Sequence, residues 1–198
     1  MTNKILVVVT TGLLSLVLGC GSKPSNSAAG SAAGGPVDAA AIRAKAEAGD
    51  AKAQAHLGQL YVKGEGVTNS YKEAARWYRL AASQGHIRAQ YNLGCVYGTG
   101  RTVPFDQPEA AKWLLMAANA GDALAQLNVG ERYERGVGIK ADRVEALKWY
   151  LLATAQGQTD SSRRADGLKR NMAASEIDEA RRRASSFSPK VSSAPSPQ

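Results

Sequence analysis

The chain has 198 residues and a formal net charge of +8; 44% of it is hydrophobic but only 6% aromatic. Its 2 cysteines, Cys20 and Cys95, cannot build a disulfide scaffold, and with the 2 histidines, His56 and His86, they lack the close-paired spacing of a structural zinc site. Its 35 alanines and 20 glycines, with few β-branched runs, favour close-packed helices over sheets.

At the N-terminus, Lys4 precedes an apolar-dominated stretch from Ile5 to Leu18, interrupted by Thr10, Thr11, Gly12 and Ser15. That stretch is short of the roughly 20 residues a membrane span needs and suits the apolar region of a secretory signal. The Val17-Leu18-Gly19-Cys20 that follows resembles the bacterial lipobox. The resemblance implies that residues 1–19 are a lipoprotein signal peptide and that Cys20 becomes an acylated N-terminus; the competing reading is an ordinary signal with an incidental cysteine. Several acyl chains make a stable membrane anchor where one is marginal. By the same resemblance, Gly21 rather than aspartate after the cysteine implies an outer-membrane, periplasm-facing envelope protein.

Residues 20–37 continue as a linker, GSKPSNSAAGSAAGGPV after the cysteine, with no hydrophobic period. Seventeen flexible residues reach roughly 20–25 Å. Residues 38–187 form the folded part, and the Pro- and Ser-rich residues 188–198 are expected to be disordered.

Within the folded part the sequence repeats. Trp77, Trp113 and Trp149 are evenly spaced, as are Gly49, Gly85, Gly121 and Gly157, then Gly58, Gly94 and Gly130, then Tyr61, Tyr97 and Tyr133. The register holds over units 50–85, 86–121 and 122–157, a period that signals a solenoid of helical hairpins. In each unit the first helix, about Asp50 to Lys63 in the first, places Ala53, Leu57, Leu60 and Tyr61 on one face. Gly58 beside that stripe costs about 1 kcal/mol relative to Ala, so its recurrence predicts close approach of another helix. Ser70…Glu73, Asp106…Glu109 and Asp142…Glu145 read as capping boxes for the second helices, with each glutamate reaching back to the cap N–H. Ala74, Ala75, Trp77, Tyr78, Ala81 and Ala82 supply the buried face, and Gly85 suits the left-handed residue that ends the helix.

The pattern A-Q-x-x-L-G-x-x-Y-x-x-G-x-G-V, then E-A-x-x-W-Y-x-x-A-A-x-x-G, resembles the Sel1-like repeat, a relative of the tetratricopeptide repeat. The third unit carries it as Ala125-Gln126, Val129-Gly130, Tyr133, Gly136-Val137-Gly138-Ile139, Glu145-Ala146, Trp149-Tyr150, Ala153 and Gly157. The second departs, with Thr102 where Gly66 and Gly138 stand and Leu114 for the tyrosine, so its loop is expected to differ. Residues 38–48 match the end of a preceding second helix, and residues 158–187 resemble the polar helix pair that caps such arrays. The resemblance implies an all-α fold: an α-solenoid of three 36-residue units with an N-terminal half-unit and C-terminal capping helices. It also implies a protein-protein interaction adaptor or scaffold with no chemistry of its own.

No catalytic, metal or cofactor motif stands out. HExxH, CxxC and GxSxG are absent, and the Gly-x-Gly pairs at 64–66, 98–100 and 136–138, which fall near the same place in each unit, lack a strand–helix context and read as turns. The runner-up is a β-lactam- or peptidoglycan-acting hydrolase, since some relatives have been linked to β-lactams; the S-x-x-K acylating motif it calls for is missing. His56 aligns with Asn92 and Asn128, and His86 with Asp50 and Asp122, so both read as scaffold positions. Over residues 50–157, 13 basic residues stand against 10 acidic ones, and no nucleic-acid module is present. Arg181-Arg182-Arg183 reads as a solvated helix face, with contact to anionic phospholipid or lipopolysaccharide as the alternative.

A partner surface follows from comparing repeats. At 100° per residue, first-helix positions 55, 59, 62 and 63 turn away from the core, and they vary: Ala55, Tyr91, Leu127; Gln59, Cys95, Glu131; Val62, Gly98, Glu134; Lys63, Thr99, Arg135. By resemblance, first helices line a concave surface. The expected partner-binding set is therefore Gln59, Lys63, Tyr91, Cys95, Leu127, Glu131 and Arg135, with Tyr91 and Leu127 either apolar points in a groove or packed against the next repeat. Cys95 reads either as a thiol inviting an intermolecular disulfide or as a small half-buried residue.

Overall fold

A computed structural model describes residues 38–100 and 106–190. The signal peptide, Cys20, the linker, the Thr102 loop and the tail beyond Lys190 lie outside the described residues. Among the described residues there are nine helices and no strand. They are α1 (Ala39–Glu47), α2 (Ala51–Lys63), α3 (Tyr71–Ser83), α4 (Ile87–Thr99), α5 (Gln107–Asn119), α6 (Ala123–Arg135), α7 (Arg143–Ala155), α8 (Thr159–Lys169) and α9 (Ala174–Ser185). Each helix from α1 to α8 packs on its neighbours in sequence, as a solenoid requires; α9 departs by packing on α7, which α8 also covers.

Side-chain caps start the helices. Asp50 and Asp122 accept the N–H of Ala53 and Ala125 at 2.7 and 2.9 Å. His86 does the same through Nδ1, which accepts from Ala89 N–H at 3.1 Å, so this histidine works as a helix cap. Ser70, Asp106 and Asp142 cap α3, α5 and α7 by accepting from the glutamate N–H three residues on. The reach-back half of the expected capping boxes is replaced in repeats 1 and 3. There the Ser70 and Asp142 N–H groups donate to the carbonyls of Tyr61 and Tyr133, both at 2.9 Å. A carbonyl at the end of the preceding helix takes the donor, so the glutamates turn elsewhere: Glu73 pairs with Arg76 at 3.6 Å, and Glu145 holds Lys148 at 3.0 Å.

The second helices end alike. Gly85 adopts φ +81°, Gly85 N–H donates to Ala82 C=O at 3.0 Å, and His86 N–H to Ala81 C=O at 3.1 Å. The same pair of bonds follows Gly49, Gly121 and Gly157. A left-handed residue without Cβ satisfies the orphan carbonyls and turns the chain into the next repeat.

Packing fills the space between helices with one pattern repeated. Leu57, Leu60, Ala74, Trp77, Tyr78, Ala81 and Ala82 are buried, as are Leu93, Ala110, Trp113, Leu114, Ala117 and Ala118 one unit on. The recurring glycine is a contact point, as its spacing predicts. A Cβ at Gly58 or Gly130 would lie 2.7 or 2.6 Å from the ring of Tyr78 or Tyr150, and one at Gly94 would lie 2.7 Å from Leu114. Leu114 thus replaces the tyrosine ring without opening the helix pair.

A buried glutamine joins each repeat to the one before. Gln54, Gln90 and Gln126 donate Nε2–H to the carbonyls of Ala46, Ala82 and Ala118 at 3.1, 3.3 and 3.2 Å. Gln84 and Gln156, at the ends of α3 and α7, donate to Gln54 and Gln126 at 2.8 Å. Ala120 stands at the matching place after α5 and has no amide to offer.

Candidate interaction face

The first-helix positions predicted to face outward separate into two groups. The row of Ala55, Tyr91 and Leu127 turns toward the following repeat. Ala55 is buried, and Leu127, 7% exposed, packs with Leu147, Ala165 and Leu168. Tyr91 is half-buried beside Leu114, Ala118 and Val129, burial pushes its phenol up, and its hydroxyl meets the Asn128 side chain. These are inter-repeat contacts, which is the second of the two readings the sequence left open. The physical reason is the neighbouring first helix, which a single helical wheel does not contain.

The row of Gln59, Cys95 and Glu131 is graded. Gln59 is exposed and Cys95 half-buried, whereas Glu131 is only 3% exposed. Arg164, an exposed residue of α8, reaches Glu131 Oε1 at 2.7 Å. Burial raises the Glu131 carboxyl above its usual range, and Arg164 opposes that shift only in part. In the third row Val62 and Gly98 are half-buried, and Glu134 accepts the Tyr150 hydroxyl at 2.6 Å. In the fourth, Lys63 and Arg135 are exposed and Thr99 is half-buried, its hydroxyl donating to Val96 C=O at 2.9 Å. Gln59, Lys63 and Arg135 therefore remain as solvent-facing members of the predicted set.

Sequence reasoning missed Arg132. It stands where Leu60 and Val96 fill the core, and it is 3% exposed. Its Nη1 donates to Gln107 Oε1 at 2.7 Å and to Val137 C=O at 3.2 Å, while Gln107 Nε2 donates to Gly98 C=O at 3.2 Å. The glycine at 98 makes the room, since a Cβ there would stand 2.8 Å from Arg132 Nη2. This network ties the end of α4 and the start of α5 to the loop after α6. All its acceptors are neutral, and desolvation lowers the guanidinium pKa to about 10. The available signal was the alignment itself, which puts a charge in a core column.

Among the described residues no cluster of potential metal ligands occurs, and no helix is long and apolar enough to cross a membrane. The arrangement offers a rigid, segmented face and interlocked repeats.

Comparison with known proteins agrees with this architecture. The model of the Sel1 repeat matches residues 51–86, 87–122 and 123–158, one residue later than the sequence period was phased. A Sel1 repeat protein from Oxalobacter formigenes is 39% identical over 66% of this chain and 98% of its own, with a TM-score of 0.60. Also similar is c5321, a protective antigen of uropathogenic Escherichia coli with an SLR fold, at 42% identity and a TM-score of 0.60. That match covers 63% of this chain and 27% of the antigen. No curated protein sequence matches. With three matched units covering more than half its length, the chain belongs to the Sel1 repeat family.

Proposed function

We propose that this protein is a scaffold of the bacterial cell envelope, held to a membrane by acyl chains on Cys20 and binding a protein partner on the α2–α4–α6 face. Sel1 repeat proteins generally serve as protein-interaction scaffolds, and their fold is typically non-catalytic. The observation that carries the reading is a division of labour between positions. Caps, glutamine links and glycine contacts repeat from unit to unit, whereas the solvent-facing Gln59, Lys63 and Arg135 belong to columns that change. A surface that varies on a repeated frame is where specificity can reside without cost to folding. The lipobox resemblance and the glycine after Cys20 favour the outer membrane, facing the periplasm.

The test uses the tagged full chain expressed in a Gram-negative host. Cys20→Ala is expected to move it from the membrane fraction to the soluble envelope fraction; unchanged membrane retention would contradict the anchor. Chemical cross-linking in intact cells is expected to give one or two near-stoichiometric partners with wild type. Lys63→Glu with Arg135→Glu is expected to lose them while keeping the helical melt; partners retained by that variant would contradict the face.

A further inference from the structure

After α9, residues 186–190 fold back over the second helices. The Phe187 ring meets Trp149 edge-on, with centroids 5.6 Å apart at 71°. Pro189 lies against Gly121, and Lys190 N–H donates to Asn119 C=O at 2.7 Å. This strap closes a shallow cavity of about 490 Å³ against α7 and α9. Lys148, Arg183 and Lys190 line it, with Asn119, Ser186 and Ser188 beside them and Phe187 as an apolar wall. Among the described residues that line the cavity, none is acidic.

The acids stand behind the cations and orient them. Glu145 holds Lys148 at 3.0 Å and Arg183 at 2.7 Å, and Glu179 takes Arg183 Nε at 2.7 Å and also pairs with Arg182. Lys148 is further fixed 4.3 Å over the Trp149 ring. Among the described residues no carboxylate pairs with Lys190. The three lining cations, Lys148, Arg183 and Lys190, thus exceed the two carboxylates behind them by one positive charge, that of Lys190. Cations in the last turn of α9 complement the helix dipole, which accounts for Arg182 and Arg183. It accounts neither for Lys148 in the middle of α7 nor for Lys190 beyond the helix.

We propose that this cavity binds a phosphomonoester group. Such a group carries about −1.5 to −2 charges and accepts through three oxygens, which suits the unpaired Lys190 charge and the ammonium and guanidinium groups that line the cavity. The group comes either from a lipid headgroup or from a soluble phosphate. The site is independent of the scaffold reading, because it lies on the second-helix side and uses none of Gln59, Lys63 or Arg135.

The test titrates the full chain with inorganic phosphate by calorimetry at fixed ionic strength, which holds general screening constant. Saturable one-site binding is expected. Lys148→Gln and the exposed Lys190→Gln should each weaken it at least tenfold, while Arg163→Gln, which removes the same charge on α8, leaves it unchanged. Lys190→Gln touches no buried contact, so its effect cannot come from unfolding. Non-saturable binding, or equal loss with Arg163→Gln, would overturn the site. Competition by phosphatidic acid vesicles, but not phosphatidylcholine vesicles, would identify the lipid source; saturable phosphate binding without vesicle competition would identify the soluble one.

Discussion

Repeats 1 and 3 share a backbone and differ in what their first helices do. Both keep a capping aspartate, a buried glutamine linked to the previous repeat, and a glycine pressed against a tyrosine ring. Where α2 has Gln59, Leu60 and Val62, α6 has Glu131, Arg132 and Glu134. In repeat 1 the middle one of these is an ordinary core leucine; in repeat 3 all three enter buried or half-buried polar contacts with α5, α7 and α8. The contrast teaches that the frame tolerates a charged column wherever a neighbouring element supplies partners.

Breaking the shared frame has the largest expected effect. Leu57→Ala, at a fully buried position, should cost about 2–5 kcal/mol in urea unfolding, and Val129→Ala in repeat 3 less, because fewer methyl groups are lost. Equal tolerance of both changes would contradict a common core. Gln126→Leu should cost about 1–3 kcal/mol by stranding the Ala118 carbonyl and the Gln156 amide. For Gly130→Ala the helix-propensity gain of about 1 kcal/mol opposes the strain of a Cβ 2.6 Å from Tyr150. Overpacking costs about 1–3 kcal/mol, so a net loss is expected; a more stable variant would show that the helices separate easily.

The divergent column sharpens the comparison. Gln107→Ala should cost about 1–3 kcal/mol because it strands a buried guanidinium. Arg132→Met, which restores an apolar residue as in repeats 1 and 2, should lie within about 1 kcal/mol of wild type or above it. Arg132 titrates lower folded, near 10, than unfolded, so between those values the unfolded chain binds more protons and stability rises with pH. Wild type should therefore gain on Arg132→Met from about pH 9 to about pH 11; a widening deficit would contradict a desolvated guanidinium.

The smallest effect belongs to Glu131→Gln, expected within about 1 kcal/mol. The Glu131 carboxyl titrates higher folded than unfolded, so its contribution to stability grows as pH falls and is lost as pH rises through the folded value. The variant should accordingly gain on wild type with rising pH through the carboxylate range.

The fold was legible because each signal occurred three times: the glycine contact, the cap and the left-handed end of the second helix recur at one spacing. The face was legible only in part. A helical wheel drawn on α6 leaves Leu127 and Glu131 outside, because Leu168 and Arg164, which meet them, belong to α8. Arg132 was missed although it stands in the column of Leu60 and Val96, where a charge is out of place in an otherwise apolar core. The glutamate reach-back was misread because a competing acceptor, the carbonyl of Tyr61 or Tyr133, lies outside the local motif.

The most direct measurement of the scaffold account compares in-cell cross-linking of the lipidated wild-type chain with the Lys63→Glu, Arg135→Glu double variant. The account predicts near-stoichiometric partners for wild type, lost in the variant at an unchanged helical melt. Identical partners from both proteins would contradict binding on the first-helix face.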